Sequence, residues 1–531
     1  MKHPILTFSF SALIVSLLPF AARSQQQPGK AQKPGTVVLT LQPAQRFQTI
    51  DNFGASGCWF SEGIGKYWPQ ERKDSIARYL FSKEFDRNGD PMGIGLSAWR
   101  FNIGGGTAEQ GINSGIKTSV KRIESFIDST GNYNWSKQSG YQWFVQQAKA
   151  YGVENLIAFS NTPPVHFTKN HLGFKTEKDY TCNLDENKYV DYAVFLANVL
   201  KHFAQQGIHY RYVSPVNEPQ WDWSNKFGEM NQEGTPWKNE NIYRIVRLLD
   251  SVISAEKIDS RILMPEAATL RHLYTERGHA AKQVQYFFGN TETSVKLFRN
   301  VLPVVAGHSY FTDLGDTNRI TIRENLRDTV AAYNTSFWQS EYSMLGDGYR
   351  EKKKGKIPAI DCALFLAKLI HGDLTSANAA AWQLWNVYEP GSAEFDTRYY
   401  LMALESNDSN TTGYFRTTKN LWAMGHFSRF IRPGMTRIGI SRSDKLNELA
   451  ASQDLMCSAY QDKDGKTVMV LINYSEQEKS VNLQGLRKKQ PAKIYSTTAA
   501  REMNMKKSVM SAGGELKLLP RSINTLVIGD M

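Results

Sequence analysis

Residues 212–223 read YVSPVNEPQWDW. A β-like run ends there in Asn217, Glu218 and Pro219, and aromatic side chains follow at once. Residues 337–343, FWQSEYS, have the same form: an apolar run closes on Glu341, with Tyr342 and Ser343 behind it. A strand that ends on a polar group is the signature of a parallel barrel, where the carboxyl end of each strand points a side chain into an open mouth.

Working outward, six more short β-like runs lie at residues 49–54, 96–103, 155–160, 262–265, 303–308 and 379–385. Amphipathic stretches at 143–150, 189–205, 241–254, 320–333 and 361–371 alternate with them. Eight strands alternating with helices over some 340 residues predict a (β/α)8 TIM barrel rather than an open doubly wound sheet. Glu218 and Glu341 stand 123 positions apart. At roughly 40 residues per βα unit that is three units, which places them on the fourth and seventh strands, facing one cleft. Two carboxylates in one cleft are the equipment of a glycosidase. In a retaining enzyme one is the nucleophile and the other serves first as acid and then as base.

Other strand ends bring polar groups to the same mouth. Arg100 (AWRFNIGGG) can hold a nucleophilic carboxylate ionised. Asn161 (SNTPP) and Asn217 can offer amides to sugar hydroxyls, although Asn161 reads equally as a turn cap before its prolines. His308 and Tyr310 (GHSYF) can hydrogen-bond a carboxylate or a sugar. Trp221 and Trp223 surround Glu218 with apolar surface, which raises the pKa of an acid. Trp382 and Trp385 lie on the eighth run; at a spacing of three they cannot share a face, so one can floor a sugar while the other packs the barrel. The glycines at 104–106 fit a tight βα turn better than a phosphate cradle. His166 and His171 have no metal-ligand spacing, so neither a metal nor an organic cofactor is expected.

Beyond residue 421 the helical period fades. Alternating runs at 466–473, 479–483, 493–495 and 523–528 are separated by turn formers, which predicts a β-sandwich. The strand-like run 37–41 has no place in the barrel and is free to join that sandwich. The expected organisation is therefore a signal peptide (1–24), a linker (25–34), an N-terminal strand of the sandwich (35–46), the barrel (47–420) and the C-terminal sandwich (421–531). The signal reading rests on Lys2 and His3 before the apolar run 5–20, with Ala22 and Ser24 as small residues at a cleavage site. It predicts an exported protein, periplasmic or extracellular, with no integral membrane segment after cleavage.

The chain has 531 residues and a formal charge of +12; loss of residues 1–24 removes Lys2 and Arg23 and leaves +10. The one dense basic run, Lys352–Lys354, reads as a solvated loop, and no interleaving of basic and aromatic residues calls for nucleic acid. Aromatic residues make up 12%, which suits a site that stacks on sugars. The four cysteines fit no zinc pattern and cannot be paired from sequence.

Taken together, QTIDNFGASG (48–57), WRFNIGGG (99–106), SNTPP (160–164), SPVNEPQW (214–221), SEYS (340–343) and LPRSINTLVI (519–528) resemble glycoside hydrolase family 30 along most of the chain. The resemblance implies a barrel fused to a sandwich built from both chain ends, with Glu218 as acid/base, Glu341 as nucleophile, and Arg100 and Asn217 in support. It is closest to the endo-β-1,6-galactanase branch, with a polysaccharide or oligosaccharide as partner and a monomer expected. Val165 and His166 replace the tryptophan or methionine pair that often follows NTPP. Xylanase, β-1,6-glucanase and glucosylceramidase-like β-glucosidase activities are the alternatives within the family. A non-catalytic glycan-binding protein is the alternative from another class.

Overall fold

Strands that are buried at nearly every position are covered on both faces, and a barrel ringed by helices does this. The computed structural model describes residues 35–275, 278–485, 490–510 and 514–529; the expected signal peptide and linker lie outside them. After β1 (Thr36–Thr49) come the eight barrel strands: β2 (Asn52–Ser56), β3 (Ala98–Ile103), β4 (Asn155–Ser160), β5 (Tyr210–Ser214), β6 (Arg261–Ile262), β7 (Val304–His308), β8 (Ser336–Glu341) and β9 (Ala381–Leu384). They pair in parallel in the order β6-β5-β4-β3-β2-β9-β8-β7. The ring is joined between β6 and β7 by parallel bridges from Ile262 to Val301 and from Ala267 to Gly307, with the Ala306 N–H donating to the Met264 carbonyl at 2.9 Å.

All eight runs expected from the sequence are strands, and β5 and β8 are the fourth and seventh of the barrel. Alternation sorts their side chains. Ala98, Ile157, Tyr212, Leu263, Val304, Ala306, Trp338 and Ala381 meet inside as an apolar plug, and the Tyr212 and Trp338 rings are edge to face at 5.0 Å. Their neighbours on the strands, among them Trp99, Phe101, Ala158, Val213, Val305 and Phe337, join the larger core under the helices. A polar layer therefore lies on an apolar floor.

The chain then forms a small sheet of β10 (Tyr388–Pro390), β11 (Met402–Ser406) and β12 (Gly413–Thr417), which the sequence reading did not anticipate. It continues into β13 (Thr436–Arg442), β14 (Leu455–Gln461), β15 (Thr467–Asn473), β16 (Lys479–Gln484), β17 (Gln490–Thr498), β18 (Arg501–Met510), β19 (Glu515–Leu518) and β20 (Ser522–Ile528). These join β1 in the order β18-β17-β20-β15-β14-β13-β1-β16-β19. β1 is internal to this sheet, antiparallel to β13 and parallel to β16. Val37, Leu39 and Leu41 point into the sandwich's own core beside Leu455, Leu471, Val481 and Leu526; each such side chain contributes about 1.5–3 kcal/mol by burial. The opposite face of β14, β15 and β20, with Met456, Val470, Ile472 and Ile523, merges into the barrel's outer core.

The helix Lys419–Ser428 starts where the Thr418 hydroxyl accepts from the Asn420 N–H, a favourable N-cap. It packs between β2 and the sandwich strands β17 and β20. All four cysteines are unpaired, with Cys58, Cys182 and Cys362 buried. No helix among the described residues is long and apolar enough to cross a membrane.

His426 on that helix is buried, with Nδ1 at 2.9 Å from the Thr525 hydroxyl and Nε2 at 2.9 Å from the Thr497 hydroxyl. Burial pushes its pKa down from 6.5 to about 3. Between those values the unfolded chain binds the proton and the folded one does not. Stability is therefore retained above pH 6.5 and lost as pH falls toward 3, at up to about 1.4 kcal/mol per pH unit. His426→Gln is expected to flatten the acid limb of Tm against pH; an unchanged limb would show that another group controls it.

Candidate active site

Five charged or chargeable side chains converge above the apolar plug, each from a different strand: Arg100 within β3, Glu218 past β5, Glu266 past β6, His308 closing β7 and Glu341 closing β8. All are buried. Arg100 Nη1 donates to Glu341 Oε2 at 2.7 Å, while Nη2 lies 4.0 Å from Glu266 Oε1; the guanidinium also covers the Phe159 ring at 4.2 Å. The Tyr310 hydroxyl donates to the other oxygen of Glu341 at 3.1 Å. His308 Nδ1 is 2.9 Å from Glu218 Oε1 and 3.6 Å from Glu341 Oε1, and its Nε2 is 3.2 Å from Glu266 Oε2.

Glu341 reaches the interior because of a bulge. The register runs from Gly307 opposite Gln339 to His308 opposite Glu341, so β8 carries one extra residue, Ser340. Alternation alone would send Ser340 and Glu341 to opposite faces, but a bulge re-aims a side chain. Here the Ser340 hydroxyl donates to Glu266 while Glu341 meets Arg100 and Tyr310. Glu218 and Glu266 both have left-handed backbones, at φ 44 and φ 56. Such strain, of order 1–3 kcal/mol, collects at functional sites. The Glu218 N–H donates to the Glu266 carbonyl at 2.9 Å, tying the two together.

The electrostatics set Glu218 and Glu266 apart. Burial pushes the Glu218 carboxyl above the usual range, and the charge of Glu341 adds to this against the pull of His308. Burial would likewise raise Glu266, but the His308 hydrogen bond and the Arg100 charge outweigh it and hold its pKa down at about 2. Burial would deprotonate His308; Glu341, Glu218 and Glu266 together prevail and hold its pKa up at about 10. The Tyr310 hydroxyl, raised by burial and by Glu341, remains a donor.

The remaining sequence candidates divide into two groups. Asn217 Nδ2 donates to Asn161 Oδ1 at 2.9 Å, and Asn161 Nδ2 to Asn102 Oδ1 at 3.4 Å, so a chain of amides runs beside Glu218. Trp221 is 38% exposed, next to Glu218, with its ring perpendicular to Phe311. Trp223 donates to the Glu218 carbonyl at 3.1 Å. Trp385 follows β9 and meets Trp59 at 5.5 Å and Phe159 at 6.3 Å, which puts it on the Arg100 side of the mouth. Trp382 does not belong to the cluster: it is fully buried, and its Nε1 donates to Asp373 of the helix Ala359–Thr375 at 2.9 Å. Strand parity turns it toward the helices, so it packs the barrel wall and does not line the mouth. The glycines form a tight turn. A Cβ on Gly104 would meet Ile123 at 2.2 Å, one on Gly105 would meet Thr162 at 2.5 Å, and Gly106 has φ 98.

Glu266, Ser214, Ser340 and Trp59 were missed from the sequence. The signal for Glu266 was present, since it directly follows the fifth run in LMPEAA. Among the described residues, Glu218, His308 and Glu341 also form the one group whose ligand atoms converge within 4.8 Å, as a metal site would require. A doubly protonated His308 has no lone pair for a metal, and Glu341 is already paired with Arg100, so the group does not suit a cation.

The model of O-glycosyl hydrolase family 30 matches residues 36–394, and that of the family's β-sandwich domain matches residues 434–526. The chain belongs to glycoside hydrolase family 30. Relatives of this family-30 chain include an endo-β-1,6-galactanase of Hypocrea rufa, 23% identical over 75% of each chain. A glucuronoxylanase, XynC, of Bacillus subtilis strain 168 is 22% identical over 72% of this chain and 74% of its own. A solved structure described as a conserved exported protein from Bacteroides fragilis superposes with a TM-score of 0.85 at 34% identity, covering 92% of this chain and all of that one.

In this family-30 site Tyr310 supplies one of the two donors to Glu341. A hydrogen bond to a charged group contributes about 1.5–3 kcal/mol. Tyr310→Phe is therefore expected to lower kcat/KM about 10- to 100-fold with little change in Tm. Equal kcat/KM in the two proteins would remove Tyr310 from the site's machinery.

Proposed function

We propose that this protein is an exported, retaining glycoside hydrolase that cleaves β-1,6-linked galactan, as in the side chains of arabinogalactan, by internal attack. The observation that carries the mechanism is the closeness of the acids: one oxygen of Glu218 and one of Glu341 lie within 4.8 Å of each other, on either side of the same His308 nitrogen. Inverting enzymes keep their carboxyls about 6.5–9.5 Å apart to admit a water, whereas retaining ones hold them at about 5–5.5 Å. Glu341, fixed by Arg100 and Tyr310, attacks the anomeric carbon. Glu218, kept protonated by its burial, gives its proton to the departing glycosidic oxygen. The ionised Glu218 then takes a proton from water, which displaces Glu341, so the anomeric configuration is retained. The amide chain through Asn217, Asn161 and Asn102 offers hydrogen-bonding groups to the sugar, and Trp385 with Trp59 offers aromatic faces.

The galactan reading is supported by the galactanase relative, which aligns over three quarters of both chains. A second reading, xylan, is supported by the glucuronoxylanase relative. Export is supported by the apolar run at 5–20 and by the description of the Bacteroides fragilis protein. The division into a barrel, 47–420, and a sandwich, 421–531, is supported by two separate family matches, at residues 36–394 and 434–526.

Two measurements test this. The purified protein is expected to release oligosaccharides from arabinose-stripped arabinogalactan and β-1,6-galactan, with the β-anomer formed first by NMR; release from xylan alone would replace the substrate, and α-anomer release would end the retaining mechanism. Glu341→Gln is expected to abolish turnover while still binding glycan, at a loss of about four orders of magnitude or more, and near-normal activity in that variant would sink the assignment.

A further inference from the structure

Glu266 is the member of the cluster that has no part in the reaction as described, yet it bonds to His308 and to the Glu218 backbone and faces Arg100. It is fully buried. Its Oε1 accepts from the Ser214 hydroxyl at 2.7 Å and faces Arg100, and its Oε2 accepts from Ser340 and lies 3.2 Å from His308 Nε2. It therefore sits below the catalytic pair, with His308 between it and Glu218. The imidazole has a carboxylate on both sides: Glu266 at Nε2, and Glu218 with Glu341 at Nδ1. The Tyr310 ring, 5.7 Å away, covers it edge to face.

We propose that Glu266 is a positioning residue that decides which oxygen of Glu218 carries the acid proton. An ionised Glu266 can only accept, so it draws an N–H from Nε2, and together with the carboxylates at Nδ1 it holds His308 doubly protonated. Nδ1 is then a donor as well, and Glu218 Oε1 must accept from it. The proton of a neutral Glu218 is thereby confined to Oε2, free to go to the leaving group. Arg100 and His308 supply two positive charges against Glu266 and Glu341, so a neutral Glu218 leaves the cluster balanced. Without the Glu266 charge, His308 loses its anionic partner at Nε2 and gives up its second proton more readily; the neutral ring then has its proton on Nε2 and a lone pair on Nδ1. Glu218 would then donate inward to Nδ1, and the acid would be spent on a hydrogen bond. This inference rests on Glu218 being the general acid.

Leaving-group dependence tests it, because a phenolate as stable as 2,4-dinitrophenolate departs without a proton while a phenol or sugar does not. Two variants of the full chain, Glu266→Gln and Glu218→Gln, are compared on aryl β-glycosides of the sugar the enzyme cleaves. Both are expected to lose about 100-fold or more in glycosylation rate with the poor leaving group, and to stay within about threefold of wild type with 2,4-dinitrophenolate. If Glu218→Gln shows this split but Glu266→Gln loses both substrates equally, or neither, Glu266 is merely structural and the inference is overturned. If Glu218→Gln lacks the split, the reading of Glu218 as acid fails and takes this inference with it. The wild-type protein gives an independent reading that does not depend on the variant folding: nitrogen-15 NMR is expected to find both ring nitrogens of His308 protonated at pH 7, and a neutral imidazole would overturn the proposal.

Discussion

Charge balance inside a dry barrel is the constraint on which this site depends. Moving ions from water into a protein interior costs several kcal/mol each, and only close partners and further hydrogen bonds offset it. Here the floor is an apolar layer around Tyr212 and Trp338, so solvent cannot neutralise the acids from below. Arg100, His308 and the ionised carboxylates must satisfy one another, and Ser214, Ser340 and Tyr310 take up remaining lone pairs. Reactivity follows from the same balance: the acid that is not matched by a full positive charge is the one that keeps a proton.

The strands contribute position and direction. Parallel order brings the ends of β3, β5, β7 and β8 to one level, and the bulge in β8 allows two consecutive residues, Ser340 and Glu341, to serve the interior. A second buried ionic group stands behind the site. Asp373 accepts from Arg323 at 2.7 Å, from Ser309 and from Trp382, so the helix Ala359–Thr375 is anchored to the residue between His308 and Tyr310. The wall is as specifically bonded as the mouth.

Much of this was legible in the sequence. Apolar runs with polar ends gave away the barrel strands, and parity already required Trp382 and Trp385 to face opposite ways. Other features left no readable mark. The bulge is a matter of register against a partner strand, and FWQSEYS does not announce it. The run before Glu266 is only four residues long and closes on Pro265, with no aromatic residue behind the carboxylate to mark it as Trp221 and Tyr342 mark Glu218 and Glu341. The helix Lys419–Ser428 is buried on nearly every side, and a helix covered all round has no amphipathic stripe. β13 and β14 carry charged and small residues among their apolar ones (TRIGISR, LMCSAYQ), which dilutes a period-two pattern.

One topological detail affects how the molecule comes into being. β1, among the earliest of the described residues to be synthesised, lies in the sheet between β13 and β16, with Leu39 opposite Arg442 on one side and Leu483 on the other. Its neighbours are made some four hundred residues later. Contacts so distant along the chain are slow to form, because the closure of the intervening loop has to precede them. A nearly complete barrel can thus emerge from the ribosome while the sandwich consists of one internal strand without its neighbours. Until the C-terminal strands arrive, Val37, Leu39 and Leu41 have no core to enter, and the nascent protein carries an unsatisfied β-edge for most of its synthesis.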